Sequence, residues 1–221
     1  MARISLPSLG DSVFVAGNPK SGKTVLSKYL FTKWIPYFRN GLVLMVDIDI
    51  DAKDWSRYCD ITLPPNLLPH EYLKALREHK SVCVDGHRLS FDELKGVWNM
   101  LLDVCLARGK TLVVCDEIAR VSSSNQLTPN HFLMVSGRGR KRGCSIIQAT
   151  QRLQRCAMDI RTQADHKFIF RLDLQDVKKY LSFMPDAGLI LTLKPYHCLY
   201  THHGSAGKTL TEVLPPCPFK E

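Results

Sequence analysis

The chain has 221 residues, of which 45% are hydrophobic and 23% are charged. This length and composition favour one globular core over a disordered or fibrous chain. Lysine and arginine outnumber aspartate and glutamate by 30 to 21, and this basic surplus favours a polyanionic partner. The first residues lack a signal-peptide pattern, and no apolar run reaches the roughly 18–20 residues that a bilayer span needs. We therefore expect a soluble, intracellular protein with no transmembrane segment of its own.

Short apolar runs alternate with amphipathic stretches along most of the chain. Buried strands are predicted at 12–17, 41–49, 81–86, 110–117 and 144–151. Helices are predicted at 23–34, 69–80 and 90–109, and a short helix leading into a basic loop at 128–143. Apolar strands separated by helices predict an α/β fold, with a mainly parallel sheet sandwiched between helices.

The end of the chain follows a different pattern. The stretches 166–172 and 188–204 read as strands joined by a short helix, which would add antiparallel strands at the C-terminal edge of the sheet. No linker rich in proline, glycine or serine divides the sequence. We expect a single domain over 1–221, with a core at about 10–172 and a C-terminal extension over 173–221.

Two stretches end in Gly-Lys-Thr, and only one of them has the context of a phosphate loop. "GNPKSGKT" follows an apolar strand, matches G-x-x-x-x-G-K-[ST] and opens the helix predicted at 23–34. Backbone N–H groups of such a loop surround phosphates, its lysine contacts the β- and γ-phosphates, and its hydroxyl holds Mg²⁺. The predicted nucleotide-binding residues are Gly17, Asn18, Pro19, Lys20, Ser21, Gly22, Lys23 and Thr24.

The second stretch, "GSAGKT" at 204–209, fails this test twice. The first glycine of the pattern would fall at His202, and the three prolines that follow, Pro215, Pro216 and Pro218, prevent a helix of useful length. We predict a turn there and no nucleotide binding by Lys208.

Three predicted strands end in carboxylates that could serve a bound nucleotide. They end at Asp47, at Asp85, and at Asp116 with Glu117, and only the last supplies a pair. Asp116 could hold Mg²⁺, and Glu117 could act as the general base that polarises the attacking water. The pair is typical of hydrolytic P-loop proteins of the motor type.

A very basic segment, "GRGRKRG", leads into the strand that ends at Gln151. A polar side chain at that strand tip would face the γ-phosphate and could sense hydrolysis by hydrogen bonding. The basic side chains Arg138, Lys141 and Arg142 are candidate DNA contacts, with a solvated charge run as the alternative.

Taken in order, "GNPKSGKT", "VLMVDIDID", "LVVCDE" and "GRKRGCSIIQATQR" resemble the FtsK/HerA superfamily of DNA-pumping ATPases. The resemblance covers roughly residues 10–172. The small size of the chain is similar to that of the genome-packaging ATPases of tailless, membrane-containing icosahedral double-stranded DNA viruses. The resemblance implies a RecA/ASCE-like sheet, with ATP and Mg²⁺ as cofactors. It also implies a location at the packaging vertex of a virion or in the host cytoplasm.

The resemblance also implies roles for single residues. Lys23 and Thr24 would bind phosphates and Mg²⁺, Asp116 would be the Walker B acid, Glu117 the catalytic base and Gln151 the sensor. Arg140 matches the arginine of a G-R-x-x-G motif, a candidate finger for a neighbouring nucleotide, although Arg138 and Arg142 crowd it. We expect this arginine at the carboxyl edge of the sheet.

The implied partners are double-stranded DNA, capsid or vertex proteins, and copies of the chain in a hexameric or other closed ring. An assembly ATPase of a filamentous phage, which extrudes single-stranded DNA, is an alternative, although that class usually carries a membrane span. A nucleotide-regulated switch that barely hydrolyses is a second alternative, and Glu117 argues against it.

Overall fold

The computed structural model describes residues 7–46, 55–122, 127–135, 137–203 and 209–218. The strands are β1 Ser12–Ala16, β2 Asn40–Met45, β3 Ile61–Leu63, β4 Ser81–Asp85, β5 Thr111–Cys115, β6 Ser145–Thr150, β7 His166–Phe170, β8 Cys198–His203 and β9 Thr209–Leu214. The α-helices are α1 Lys23–Trp34, α2 Pro69–Glu78, α3 Phe91–Arg108, α4 Pro129–Val135, α5 Arg138–Lys141, α6 Met158–Gln163 and α7 Leu174–Tyr180.

All of these strands belong to one sheet, in the order β3-β4-β2-β5-β6-β1-β7-β8-β9. The pairings from β3 to β7 are parallel, whereas β7–β8 and β8–β9 are antiparallel. The predicted α/β fold with antiparallel strands at the C-terminal edge is confirmed. The strand β6 lies between β1 and β5, so the loops that follow these three strands meet at one edge of the sheet.

Helices cover both faces of the sheet, which explains why the central strands are apolar throughout. Successive side chains of a strand point to opposite faces. In β1, Val13 and Val15 pack in the cluster that includes α1, whereas Phe14 and Ala16 pack in the cluster that includes α2 and α3. Each large apolar side chain buried in this way stabilises the fold by roughly 1.5–3 kcal/mol.

The helix α3 has the ends that its sequence predicts. The Ser90 hydroxyl accepts the N–H of Glu93 at 3.4 Å, and the Glu93 carboxylate accepts the N–H of Ser90 at 2.8 Å. Gly109 caps the other end with φ 67°, a conformation that glycine adopts without steric cost. Ser90 and Glu93 therefore form a capping box at the start of α3.

Two segments differ from their prediction. Of the stretch 188–204, only the part from Cys198 onward is a strand, because Ala187–Thr192 forms a 3-10 helix that buries Ile190. The basic segment before β6 is not a loop, since its residues form the short helix α5.

The described part of the chain contains no helix that is both long and apolar enough to cross a bilayer.

Candidate active site

The segment Gly17–Thr24 connects β1 to α1, as the phosphate-loop pattern predicts. A Cβ atom on Gly17 would lie 2.5 Å from Cβ of Phe170 and 2.8 Å from Oγ of Ser21, so only glycine fits there. Gly22 caps α1 with φ 106°, which a side chain would make strained. Steric constraints therefore require glycine at both positions, whether or not a ligand is bound.

Lys23 and Thr24 open the first turn of α1. The ammonium group of the buried Lys23 donates a hydrogen bond to the carbonyl oxygen of Asn18 at 2.7 Å, whereas Thr24 is exposed. The N-terminus of a helix favours anions, because its first N–H groups lack partners within the helix. The loop therefore combines backbone donors, a lysine and an exposed hydroxyl at one place.

Asp116 and Glu117 follow β5 at the same edge of the sheet. An Asp116 carboxylate oxygen accepts the N–H of Val46, the residue after β2, at 3.1 Å. Glu117 is only 7% exposed. Its Oε1 accepts the hydroxyl of Thr150 at 2.6 Å, and its Oε2 accepts the N–H of Gln151 at 2.9 Å. The end of β6 thus fixes the carboxylate of Glu117.

The electrostatics of Glu117 connect it to the phosphate loop. Burial raises its pKa, while the hydrogen bonds from Thr150 and Gln151 and the positive charge of Lys23 oppose that rise. Lys23 is thus near enough to act on the carboxylate. A buried carboxylate with a raised pKa, held close to a lysine, suits a general base.

Gln151 comes directly after β6, at the predicted strand tip. Its backbone N–H binds Glu117, and together with Glu117 it lines a small pocket. The same pocket is lined by three arginines that no sequence motif singled out, Arg120, Arg152 and Arg155. All three follow β5 or β6, and residues after parallel strands gather at the carboxyl edge, which is the signal that could have found them.

Arg140 lies at the opposite edge of the sheet, so its expected placement at the carboxyl edge is wrong. Its guanidinium hydrogen bonds to the carboxylate of Asp165, just before β7, and lies 3.7 Å from that of Asp11, just before β1. The hydrogen bond to Asp165 raises the pKa of Arg140. The physical reason is simple: a segment that precedes a parallel strand enters the sheet at its amino end.

The other basic residues share that location. Arg138 and Lys141 are in α5, Arg142 follows it, and α5 leads directly into β6. Arg138 and Arg142 line a groove with residues of α3 and α4 rather than the pocket of Glu117. The structure therefore separates the candidate DNA contacts from the phosphate loop by the length of the strands.

The remaining sequence candidates do not join this site. Asp85 ends β4, four strands away from β1, and pairs with His87. Asp47 lies outside the described residues. Residues 204–208 of the second Gly-Lys-Thr stretch also lie outside the described residues. Its last residue, Thr209, begins β9 and not a helix.

Thr24 and Asp116 supply the oxygen ligands that suit Mg²⁺. Among the described residues, no group of three or more His, Cys, Asp or Glu could hold a metal ion. Mg²⁺ is usually bound through one or two protein side chains, with substrate phosphates and water completing its ligands. The two residues therefore fit an ion that arrives together with a nucleotide.

Solved structures share this architecture. The DNA-packaging ATPase B204 of Sulfolobus turreted icosahedral virus superposes with a TM-score of 0.73 at 19% identity, over 96% of this chain and 100% of that one. The chain has the fold of that ATPase. The genome-packaging NTPase B204 of Sulfolobus turreted icosahedral virus 2, in complex with ATP-gammaS, gives 0.70 at 20% identity over 93% and 97%.

VirB4 of Thermoanaerobacter pseudethanolicus gives a TM-score of 0.64 at 12% identity, over 94% of this chain and 90% of that one. No protein-family model matches the sequence, and the search of curated proteins found no match.

Proposed function

We propose that the chain is an ATP-hydrolysing motor that packages double-stranded DNA into a preformed capsid. The observation that carries the enzymatic part is the buried Glu117, which Thr150 and Gln151 hold close to Lys23 of the phosphate loop. A binding switch has no need of a buried, fixed carboxylate at that point. This favours hydrolysis over the switch alternative.

Each residue of the site has a part in this proposal. The N–H groups of the loop and the ammonium of Lys23 bind the phosphates, and Lys23 exchanges its hydrogen bond to the Asn18 carbonyl for one to phosphate. Thr24 and Asp116 hold Mg²⁺, which screens the phosphate charge when bound. Glu117 accepts the proton of the attacking water, and Gln151 senses the γ-phosphate.

The charge of the chain and its structural likeness support a DNA cargo and capsid partners. The formal net charge of +9 favours a polyanion such as DNA. The likeness to B204, described as a DNA-packaging ATPase, supports DNA and a capsid or vertex as partners and the packaging vertex or host cytoplasm as location. On the resemblance to FtsK/HerA proteins, we also propose a closed hexameric ring.

An assembly ATPase that extrudes single-stranded DNA is the alternative function. The decisive experiment measures ATP turnover with no DNA, with double-stranded DNA and with single-stranded DNA of equal phosphate content. The Glu117→Gln variant is the matched control for contaminating ATPases. We expect stimulation by double-stranded DNA; stimulation by single-stranded DNA alone would select the alternative.

Binding to DNA should weaken steeply with salt and should not depend on base sequence. The logarithm of the affinity falls with the logarithm of salt concentration with a slope of about −0.9 per phosphate neutralised. Binding that ignores salt, or that requires one sequence, would contradict the proposal.

A further inference from the structure

A cleft opens beside the phosphate loop, on the side away from Glu117. The loop residues Pro19 and Lys20 form one wall, and Arg171, Pro195, Tyr196 and His197 form the other. The cleft has a volume of about 210 Å³ and is open to solvent.

Two contacts fix this cleft relative to the phosphate loop. The N–H of Asn18 donates to the carbonyl oxygen of Arg171 at 3.1 Å. The side chain of Phe170, at the end of β7, fills the space that a side chain on Gly17 would need. The far wall therefore keeps a set position relative to any phosphates that the loop binds.

Tyr196 has an unusual conformation and an unusual exposure. Its φ is 62°, which is uncommon for a residue other than glycine, asparagine or aspartate. The N–H of His197 donates to the carbonyl oxygen of Lys194 at 3.1 Å and closes the turn around it. The ring is 56% exposed, and its edge lies 3.5 Å from the position of a Cβ on Gly22. The turn thus places a partly exposed aromatic ring beside the start of α1.

The phosphate loop accounts for only the phosphates of a nucleotide. The sugar and the base must extend away from the N-terminus of α1, and the cleft shares Asn18, Pro19, Lys20 and Ser21 with that loop. We propose that Tyr196 stacks on the base of the nucleoside triphosphate whose phosphates the loop binds. This inference rests on the proposed nucleotide binding and assigns a part of it to the C-terminal extension.

Stacking makes a specific demand on the pattern of affinities. Every base has a π-face, so an aromatic platform tolerates any base but contributes nothing to a ligand without one. Loss of the ring should weaken the binding of ATP and the binding of GTP by similar factors. It should leave inorganic triphosphate unaffected, because that ligand reaches only the loop.

The experiment measures equilibrium binding of ATP, GTP and inorganic triphosphate, each with Mg²⁺, to the full chain. For Tyr196→Ala we expect the affinity for each of the two nucleotides to fall by about 5- to 150-fold, which is the range of base–aromatic stacking. Tyr196→Phe should stay within about twofold of the parent for every ligand, since it keeps the ring. Tyr37, which is 63% exposed beyond the far end of α1, gives the matched control Tyr37→Ala.

Two outcomes would overturn the assignment of Tyr196. One is an unchanged affinity of Tyr196→Ala for ATP. If Lys23→Ala still loses affinity for ATP, the proposed function stands although the assignment of Tyr196 falls. The other is an equal loss for ATP and triphosphate, which would mean that Tyr196 acts on the loop rather than on the base. Failure of the parent chain to bind both ligands would refute nucleotide binding itself, and the stacking proposal with it. Thermal melting of each variant separates these results from unfolding.

Discussion

Replacing Glu117 by glutamine should stop hydrolysis without disturbing the fold. The two oxygens of Glu117 accept the hydroxyl of Thr150 and the N–H of Gln151. A glutamine can keep the second bond with its oxygen. Its amide can donate to the hydroxyl oxygen of Thr150, which already accepts the N–H of Arg152 at 3.0 Å. The new amide and the Thr150 oxygen therefore still find partners, and only the Thr150 O–H loses the acceptor it has in Glu117.

The chemical loss follows from the missing proton acceptor. General-base catalysis typically contributes about 10²–10⁴-fold, which corresponds to about 2.7–5.4 kcal/mol in the activation barrier. ATP binding should not weaken, because the substitution removes a negative charge near the position of the γ-phosphate. We expect kcat to fall by that factor while the Kd for ATP stays equal or decreases.

The assay is phosphate release at saturating ATP and Mg²⁺, with the Kd for ATP and the melting temperature measured on the same preparation. Turnover within about threefold of the parent in a folded variant would refute the role of Glu117 as the base. A variant that melts normally but no longer binds ATP would instead show that the carboxylate serves binding rather than proton transfer.

The other predictions concern the surroundings of this carboxylate and the two Gly-Lys-Thr stretches. Because burial raises the pKa of Glu117, turnover should fall on acidification at a higher pH than for an exposed glutamate, since the base works only when ionised. Thr150→Val removes a hydrogen bond that opposes this rise in pKa, so its turnover should be lost at a still higher pH. Thr150→Ser keeps the hydroxyl and should behave like the parent. Identical pH profiles for the two variants would contradict the reasoning. Lys23→Ala should weaken ATP binding by about 10- to 100-fold, the loss of a charged hydrogen bond, whereas its matched control Lys208→Ala should bind normally; the reverse result would mean that the wrong loop was chosen. Arg140→Ala should be inactive alone and should regain part of its ATPase activity when mixed with Glu117→Gln, because some interfaces then combine an intact arginine with an intact base. Arg140→Lys should keep the ion pair with Asp165 and the melting temperature but lose turnover, since lysine lacks the planar fork; mixed rings that stay inactive would remove the finger role.

The features that the sequence predicts well are those set over short distances. The spacing of "GNPKSGKT" between an apolar strand and an amphipathic stretch determines the phosphate loop, and Gly17 and Gly22 lie where sterics require glycine. The apolar strands indicate a sheet buried on both faces, because each must pack on two layers at once. The position of Glu117 after β5 follows from the same local pattern.

The features that the sequence could not predict depend on contacts between distant segments. The register Ala16↔Thr150 brings the end of β6 to the site, and no local pattern marks Thr150 as a partner of Glu117. Tyr196 reaches the loop only because β8 returns antiparallel to β7. The apolar run at 188–192 predicts a strand, but it has only one buried face and forms a 3-10 helix.

The placement of Arg140 constrains how subunits could meet. The phosphate loop follows β1 at the carboxyl edge, and Arg140 contacts Asp11 before β1 at the amino edge. The five residues of β1 separate the two edges, about 17 Å at ~3.3 Å per residue. Within one subunit this arginine therefore cannot serve the nucleotide of its own loop.

An arginine finger at Arg140 requires the amino edge of one subunit to face the carboxyl edge of the next. An isologous dimer meets this requirement only if its one self-complementary patch contains both edges, since residue i then contacts residue j of the partner and j contacts i. A heterologous contact does pair different surfaces, and it closes into a ring when its rotation allows. The finger role therefore requires a contact between subunits, and a ring is one way to provide it. Recovery of activity on mixing would support a finger acting in trans, whereas an active isolated monomer would contradict it.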